Sequence, residues 1–182
     1  DGKIKEDVDD YEVKALMEIG ALNVGERLRN PSIIVMTEDD DTAFLEVLLE
    51  ANGADLDDCD ILSYSGCTNV ATAVALIRHI QRTHPNARFI VHRDRDFLTQ
   101  ESLDAYERKF AALKATVFIP DGNDIECYFA HPDHIAHCCE LTKAQTEMIL
   151  QSAFSARSEE LTRKYVSTRT QNILKSGEKP DA

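Results

Sequence analysis

Acidic side chains follow short apolar runs at three separate places in this chain. The acids are Glu38, Asp39, Asp40 and Asp41 after IIVMT; Asp94 and Asp96 after RFIVH; and Asp121, Asp124 and Glu126 after TVFIP. Carboxylates gathered at one place repel one another unless a cation neutralises them, and Mg²⁺ and Mn²⁺ prefer oxygen ligands. The pattern therefore predicts a divalent-metal site wherever the fold brings these three places together.

The apolar runs have the length and composition of buried strands. Strands are predicted at PSIIVMT, CDILSY (59–64), RFIVH and TVFIP (116–120), with helices at DTAFLEVLLEANG, GCTNVATAVALIRHIQR and SLDAYERKFAALKA between them. Such alternation is typical of parallel βαβ units covered by helices on both faces. Functional groups collect at the carboxyl ends of the strands in these sheets, so the acidic clusters are expected along one edge.

The predicted fold class is α/β and Rossmann-like, with about four mainly parallel strands and a C-terminal helical extension. Three segments are expected: a helical linker over 1–30, the α/β domain over 31–130, and a helical extension with a tail over 131–182. In the first helix of the α/β domain, the spacing predicts a buried face and an end at Gly53. The residues of that face are Ala43, Phe44, Val47, Leu48 and Ala51.

The net charge of −13 is concentrated in one part of the chain. Residues 1–60 hold 18 Asp and Glu against 5 Lys and Arg, whereas residues 61–182 hold 15 of each. Acidic surfaces repel nucleic-acid phosphates, but bound divalent ions reverse the local sign. No apolar run approaches the roughly 20 residues that span a bilayer, and the acidic start is unlike an export signal. We therefore expect a cytoplasmic protein without membrane contact.

Five cysteines without a CxxC or CxxH pattern predict reduced thiols. His134 and His137 lie three residues apart on a predicted helix, close to Cys138 and Cys139. Two interpretations stay open here: a metal cluster, or a helix end with half-buried cysteines and surface histidines.

Several of these motifs resemble a known family. Glu38 after an apolar strand, Gly66 in the next βα turn and the DxD of Asp94 and Asp96 resemble the TOPRIM domain of topoisomerases, primases and nucleases. The stretches TEDDDTAFLEVLLEANG, SYSGCTNV, IVHRDRDF and DIECYF are similar to the OLD-like (overcoming lysogenization defect) nuclease branch, over about residues 32–130.

The resemblance implies phosphodiester hydrolysis of nucleic acid, DNA rather than RNA, with two Mg²⁺ or Mn²⁺ ions about 4 Å apart. It implies a TOPRIM-like fold and an endonuclease acting in antiviral defence. The partner that it implies is an ABC-type ATPase domain or subunit, since this branch is often fused to or paired with one in anti-phage systems. A homo-oligomer is a further expectation.

Residue roles are implied by position in the motifs. Glu38 would be the general base or a metal ligand, Asp94 and Asp96 would be ligands, and Asp124 or Glu126 would complete a second site. Glu38, Asp94 and Asp96 form the expected catalytic set, and Arg93, Arg95 and Lys143 are expected to contact nucleic acid.

The acidic motif after the first strand departs from the family pattern. The family commonly has an acid, then Gly, with another acid four residues after the first, whereas Asp39 and Thr42 occupy those two positions here. Either Asp41 serves as the later ligand or the register is shifted. Arg93 and Arg95 could instead face solvent or carboxylates, and His92 is expected to be a hydrogen-bonding histidine rather than a catalyst.

Three other protein classes remain as alternatives. A response-regulator receiver would use Asp94 as phosphate acceptor, although the Lys-Pro pair of receivers is absent. A haloacid-dehalogenase-type phosphatase would need its DxD after the first strand, whereas two βα units precede it here. The third alternative is an inactive TOPRIM domain that works as a binding or regulatory module.

Overall fold

Four parallel strands form a single sheet in the computed structural model, which describes residues 31–64 and 70–176. The strands are β1 (Ile33–Thr37), β2 (Cys59–Ser63), β3 (Arg88–His92) and β4 (Thr116–Phe118), in the order β2-β1-β3-β4. Every neighbouring pair is parallel. The four predicted strands and their parallel arrangement are confirmed.

Five helices connect and extend this sheet within the described residues. They are α1 (Ala43–Ala51), α2 (Val70–Thr83), α3 (Gln100–Ala111), α4 (Pro132–Cys138) and α5 (Lys143–Ser176). Short 3₁₀ turns cover Leu56–Asp58 and Ile125–Tyr128. The α/β class with a C-terminal helical extension is thereby confirmed and is consistent with a Rossmann-like fold. The predicted helical linker over 1–30, the turn at Gly66 and the tail from 177 onward lie outside the described residues.

The chain divides into two compact units. Among the described residues, the first comprises 31–64, 70–93 and Ala105–Ile119, and the second comprises Asp94–Asp104 and 120–176. The boundaries expected from the sequence, after residues 30 and 130, stay predictions.

The core of the first unit lies around β1 and β3. Ile34, Val35 and Met36 are consecutive and all 0% exposed, so both faces of β1 are covered. Burial on both faces explains why the strand is continuously apolar rather than alternating. The main cluster adds side chains from β3, α2 and α3: Phe89, Val91, Ala73, Leu76, Ile77, Ile80, Tyr106 and Phe110.

Helix α1 presents a different face from the one predicted. Leu45 is its buried residue, Leu48 and Leu49 are half-buried, and Val47 is 50% exposed. Positions i, i+3 and i+4 share a helix face, so burial of Leu45 selects Leu48 and Leu49 and turns Val47 outward. The helix ends at Ala51 with Asn52 as its C-cap, and Gly53, the residue predicted to end it, follows one position later with a φ of 82°.

Helix α5 dominates the second unit. Its 34 residues correspond to a length of about 51 Å. Seven of its large apolar side chains are exposed: Met148, Ile149, Phe154, Leu161, Tyr165, Val166 and Leu174. None of the helices in the described part of the chain is both long and apolar enough to cross a membrane.

Candidate metal centre

The acidic segment after β1 emerges from the core over three residues. Thr37 is fully buried, Glu38 is 9% exposed, and the side chain of Asp39 is 40% exposed. The Asp39 backbone N–H donates a hydrogen bond to Thr37 Oγ1 at 3.2 Å. The chain therefore turns at the end of the strand and places the Asp39 carboxylate at the carboxyl edge of the sheet.

His92 ends β3 beside this turn and is fully buried. Its Nδ1 lies 3.0 Å from Thr37 Oγ1 and 3.7 Å from Asp39 Oδ2. The imidazole ring lies against Phe118, with ring centroids 5.5 Å apart. The contacts with Thr37 and Phe118 fix the ring's orientation, so the imidazole holds the turn that carries Asp39.

Tyr64 connects the carboxyl ends of β1 and β3. Its N–H donates to the Thr37 carbonyl at 2.8 Å, and its hydroxyl donates to the His92 carbonyl at 3.1 Å. Tyr106 Oη lies 3.1 Å from Tyr64 Oη. Because the single Tyr64 proton goes to the carbonyl, Tyr106 is the donor of the second bond. Burial raises the pKa of Tyr64 well above its ordinary range and that of Tyr106 to about 12, so both phenols stay protonated at neutral pH.

Arg93 lies beside this pair of phenols. Its guanidinium carbon is 5.0 Å from the centroid of the Tyr106 ring, a cation–π distance. The Arg93 charge lowers the pKa of Tyr106, while the Glu38 carboxylate raises it. The Arg93 Nε is buried and makes no hydrogen bond with any residue that the structure describes. Glu38 and Arg93 thus contribute opposite charges to the same buried polar region.

Asp39, His92 and Asp94 form a group that could hold a metal ion. Each offers one ligand atom, and these atoms all lie within 4.8 Å of one another. Asp94 follows β3 by two residues, and its Oδ1 also accepts the N–H of Ile125 at 3.1 Å. Two carboxylates and one imidazole offer a metal ion both oxygen and nitrogen ligands.

Two members of this group were not among the predicted ligands. Asp39 was placed at the family's glycine position, and His92 was expected to make hydrogen bonds only. The pairing register of β1 with β3 indicates both residues as candidate ligands. It places Met36 beside Val91. Continued beyond the strands, the same offset sets Thr37 beside His92 and residue 39 beside residue 94.

Glu38 and Asp41 lie in the same segment as Asp39 but outside the group. Asp41 is exposed, and its Oδ1 accepts the N–H of Ala43 at 3.1 Å, where α1 begins. Asp40 accepts a hydrogen bond from Ser63 Oγ at 2.7 Å. Asp41 therefore forms an Asx turn with the second residue after it, just before the helix, whose N-cap is Thr42.

Asp96 occupies an unusual backbone conformation in the second unit. Its φ is 47°, and that of Phe97 is 57°. The Asp96 N–H donates to the Asn123 carbonyl at 3.1 Å, and the Asp96 carbonyl accepts from Asn172 Nδ2 at 3.2 Å. These bonds hold the left-handed turn, but the Asp96 carboxylate is not part of the three-residue group.

Asp124 and Glu126 belong to the loop around the second 3₁₀ turn. They line an open groove of about 720 Å³ together with Phe97, Phe154 and Tyr165, all in the second unit. The loop is packed closely, since a Cβ added to Gly122 would lie 2.5 Å from the Cβ of Cys127. Among the described residues, neither acid joins a group of three potential metal ligands.

The remaining predicted nucleic-acid contacts have protein partners. Arg95 Nε donates to the Pro120 carbonyl at 3.2 Å. Lys143 Nζ lies 2.9 Å from Asp133 Oδ1, and both side chains are exposed. This hydrogen bond raises the pKa of Lys143 and lowers that of Asp133, so the two form an ion pair at neutral pH.

The cysteine- and histidine-rich segment forms α4 and its flanks. Its histidines are on the surface, as the second interpretation of the sequence expected, but Cys138 and Cys139 are exposed rather than half-buried. The helix has only seven residues and no buried residue, which leaves its C-terminal thiols in solvent.

Comparisons with known proteins give no family assignment for the chain. No family model matches it, and neither a curated protein nor a solved structure does so.

Proposed function

We propose that this protein is a divalent-metal-dependent phosphodiesterase that cuts nucleic acid, as the TOPRIM-like nucleases that its sequence resembles do. The observation that carries the proposal is the convergence of Asp39, His92 and Asp94 at the carboxyl edge of a parallel sheet. Carboxyl edges of such sheets are where α/β proteins bind ligands. A fully buried histidine beside two carboxylates also indicates a built site rather than a solvated acidic turn.

Under this proposal, Asp39 and Asp94 hold the ion, and His92 either completes its ligands or orients Asp39. The bound ion would supply an activated water and charge stabilisation for the phosphoryl oxygens. Glu38, buried beside the turn, is the candidate general base. Arg93 and Arg95 flank Asp94 and are the nearest cations in sequence for a backbone phosphate.

An ABC-type ATPase partner and a role in anti-phage defence follow from the resemblance and belong to the same proposal. A nuclease in a cell needs restraint, and an ATPase that binds it would provide such control. The exposed apolar side chains of α5, including Phe154 and Leu174, offer surface for a partner of this kind.

Plasmid nicking tests the proposal. We expect the purified chain to nick supercoiled plasmid with Mn²⁺, and less strongly with Mg²⁺, and to lose all cutting in EDTA. Asp39→Asn, Asp94→Asn and Glu38→Gln should each reduce the initial rate by roughly 10²-fold, because each removes a ligand or the base. Asp57→Asn, which changes an exposed acid in the unit that contains Glu38 and Asp39, is the matched control and should cut like the parent.

If the parent does not cut plasmid, titration calorimetry with Mn²⁺ distinguishes a chain without a metal centre from a chain that binds metal but is inactive. If the parent neither cuts nor binds Mn²⁺, the metal centre does not exist and the proposal is wrong. Mn²⁺ binding that Asp94→Asn abolishes, without cutting even after an ATPase partner is added, would favour the inactive binding module.

A receiver-like phospho-acceptor is the second candidate, and the strand order favours it. The order β2-β1-β3-β4 is the flavodoxin-like order that receivers share, with acids after β1 and Asp94 after β3. A chain of this class would gain one phosphoryl group from acetyl phosphate, and the Asp94→Asn variant would gain none. Mass spectrometry of the intact chain would detect the difference. If the parent chain is phosphorylated in this way and does not nick plasmid, the nuclease proposal is wrong and the receiver-like function is supported.

A further inference from the structure

The segment from His131 to Cys139 concentrates nitrogen and sulfur ligands on the surface of the second unit. Its five such residues are all exposed: His131, His134, His137, Cys138 and Cys139. His134 and Cys138 are four residues apart on α4, so their side chains share one face of the helix. The proposed hydrolysis uses neither of them.

The spacing of this pair matches two ligands of one zinc ion. Cys138 Sγ lies 3.6 Å from His134 Nε2. A tetrahedral zinc with Zn–S near 2.3 Å and Zn–N near 2.0–2.1 Å holds its sulfur and nitrogen roughly 3.5–3.6 Å apart. The ring of Phe129 meets that of His134 edge-on, with centroids 5.7 Å apart at 83°, which restricts rotation of the imidazole. Little movement would be needed to bind the ion.

We propose that His134 and Cys138 form half of a zinc site, which the same two residues of a second copy of this chain complete. Structural zinc sites have four protein ligands. Within the described residues, no third histidine, cysteine or acid places a ligand atom close enough to join this pair. A two-fold dimer presents every surface residue twice, so two such pairs make a closed Cys₂His₂ site.

Protons balance in this binding step. The Cys138 thiol loses its proton to solvent as the sulfur–zinc bond forms, and His134 binds through a neutral Nε2. The dimer should therefore weaken as the pH falls, because protons compete with zinc for both ligands. No oxidant or reductant takes part in the step.

Cobalt(II) and light scattering test the proposal on the whole chain, kept reduced by a phosphine. We expect Co²⁺ to produce thiolate-to-cobalt charge-transfer absorption in the near ultraviolet, and the mass to double with one such ion per two chains. Zn²⁺ should displace the cobalt without dissolving the dimer, and EDTA should return the monomer. The absorption band separates this site from the group of Asp39, His92 and Asp94, which contains no thiol.

Matched variants identify the ligands. Cys138→Ser and His134→Gln should lose both the absorption band and the dimer, whereas Cys139→Ser and His137→Gln, which change the neighbouring thiol and imidazole, should keep both. Circular dichroism would verify that all four variants are folded. The proposal is overturned if the parent gives no band, if the band forms at monomer mass, or if the control variants lose it equally.

Discussion

Asp96 and Phe97 are consecutive residues in the left-handed region of φ, where non-glycine residues are uncommon. Such residues cost on the order of 1–3 kcal/mol each and persist only where the surroundings enforce them. Here the enforcing bonds come from Asn123 and Asn172. Strain of this kind is often associated with functional sites, which gives a reason to test whether Asp96 has a role beyond the turn.

Asp96→Gly separates the backbone role of Asp96 from a ligand role. Glycine adopts this φ without steric cost but gains freedom in the unfolded chain, so we expect the free energy of unfolding to stay within about 1 kcal/mol of the parent. If the carboxylate binds metal during turnover, plasmid nicking should fall steeply in the same variant. Urea unfolding and nicking rates measure the two effects.

Lys114→Gly is the control for Asp96→Gly, since Lys114 has a φ of 57° and lies in the first unit. Its nicking rate should equal that of the parent. Unchanged nicking in Asp96→Gly would remove Asp96 from the catalytic set.

The candidate ligands could be predicted only in part, and the reason is register. Residue type and position after β3 pointed to Asp94. The choice between Glu38, Asp39 and Asp41 depends on which residues of β1 and β3 are paired. A shift of the pairing register by one residue moves every side chain of a strand to the other face of the sheet. His92 could not be assigned for the same reason, because its contact with Thr37 spans 55 residues.

At the level of elements, Tyr64 connects the ends of two strands. Its N–H donates a hydrogen bond to the last residue of β1, and its hydroxyl donates one to the last residue of β3. We expect Tyr64→Phe to remove the hydroxyl's bond to the His92 carbonyl and to lower the free energy of unfolding by about 1 kcal/mol. Because His92 lies beside Asp39, Mn²⁺ affinity should fall as well. Urea unfolding and calorimetry provide the two measurements.

Tyr106→Phe is the matched control for Tyr64→Phe. It removes the outer hydroxyl but keeps the bond from Tyr64 to His92. Its Mn²⁺ affinity should therefore stay near that of the parent. Equal losses of affinity in the two variants would mean that Tyr64 has no specific effect on the metal centre.

The elements themselves were largely predictable because their signals are local. The predicted strand RFIVH coincides with β3, and CDILSY exceeds β2 by one residue. The predicted buried face of α1 was wrong. Apolar residues surround most of this helix, so only packing against the rest of the chain determines that Leu45 is the buried one. Local patterns fix where a helix forms but leave its rotation to tertiary contacts.

For the whole molecule, a net charge of −13 disfavours binding of nucleic acid unless cations neutralise part of it. We expect binding of a labelled duplex, measured by fluorescence anisotropy, to be several-fold tighter with Ca²⁺ or Mn²⁺ than in EDTA, because a bound ion reverses the sign near Asp39 and Asp94. The Asp39→Asn, Asp94→Asn double variant should lose most of this ion dependence. Equal affinity with and without divalent ions would show that nucleic acid binds elsewhere.

Gly122 has a consequence for how relatives of this protein could be identified. Any side chain at this position would collide with Cys127, whose Cβ and Sγ would lie 2.5 and 2.6 Å from the added Cβ. A homologous chain with a larger residue at the position of Gly122 must therefore carry glycine opposite it or a rebuilt loop. The two positions should covary during evolution, five residues apart, and their joint change would help to align distant sequences whose acidic motifs have diverged.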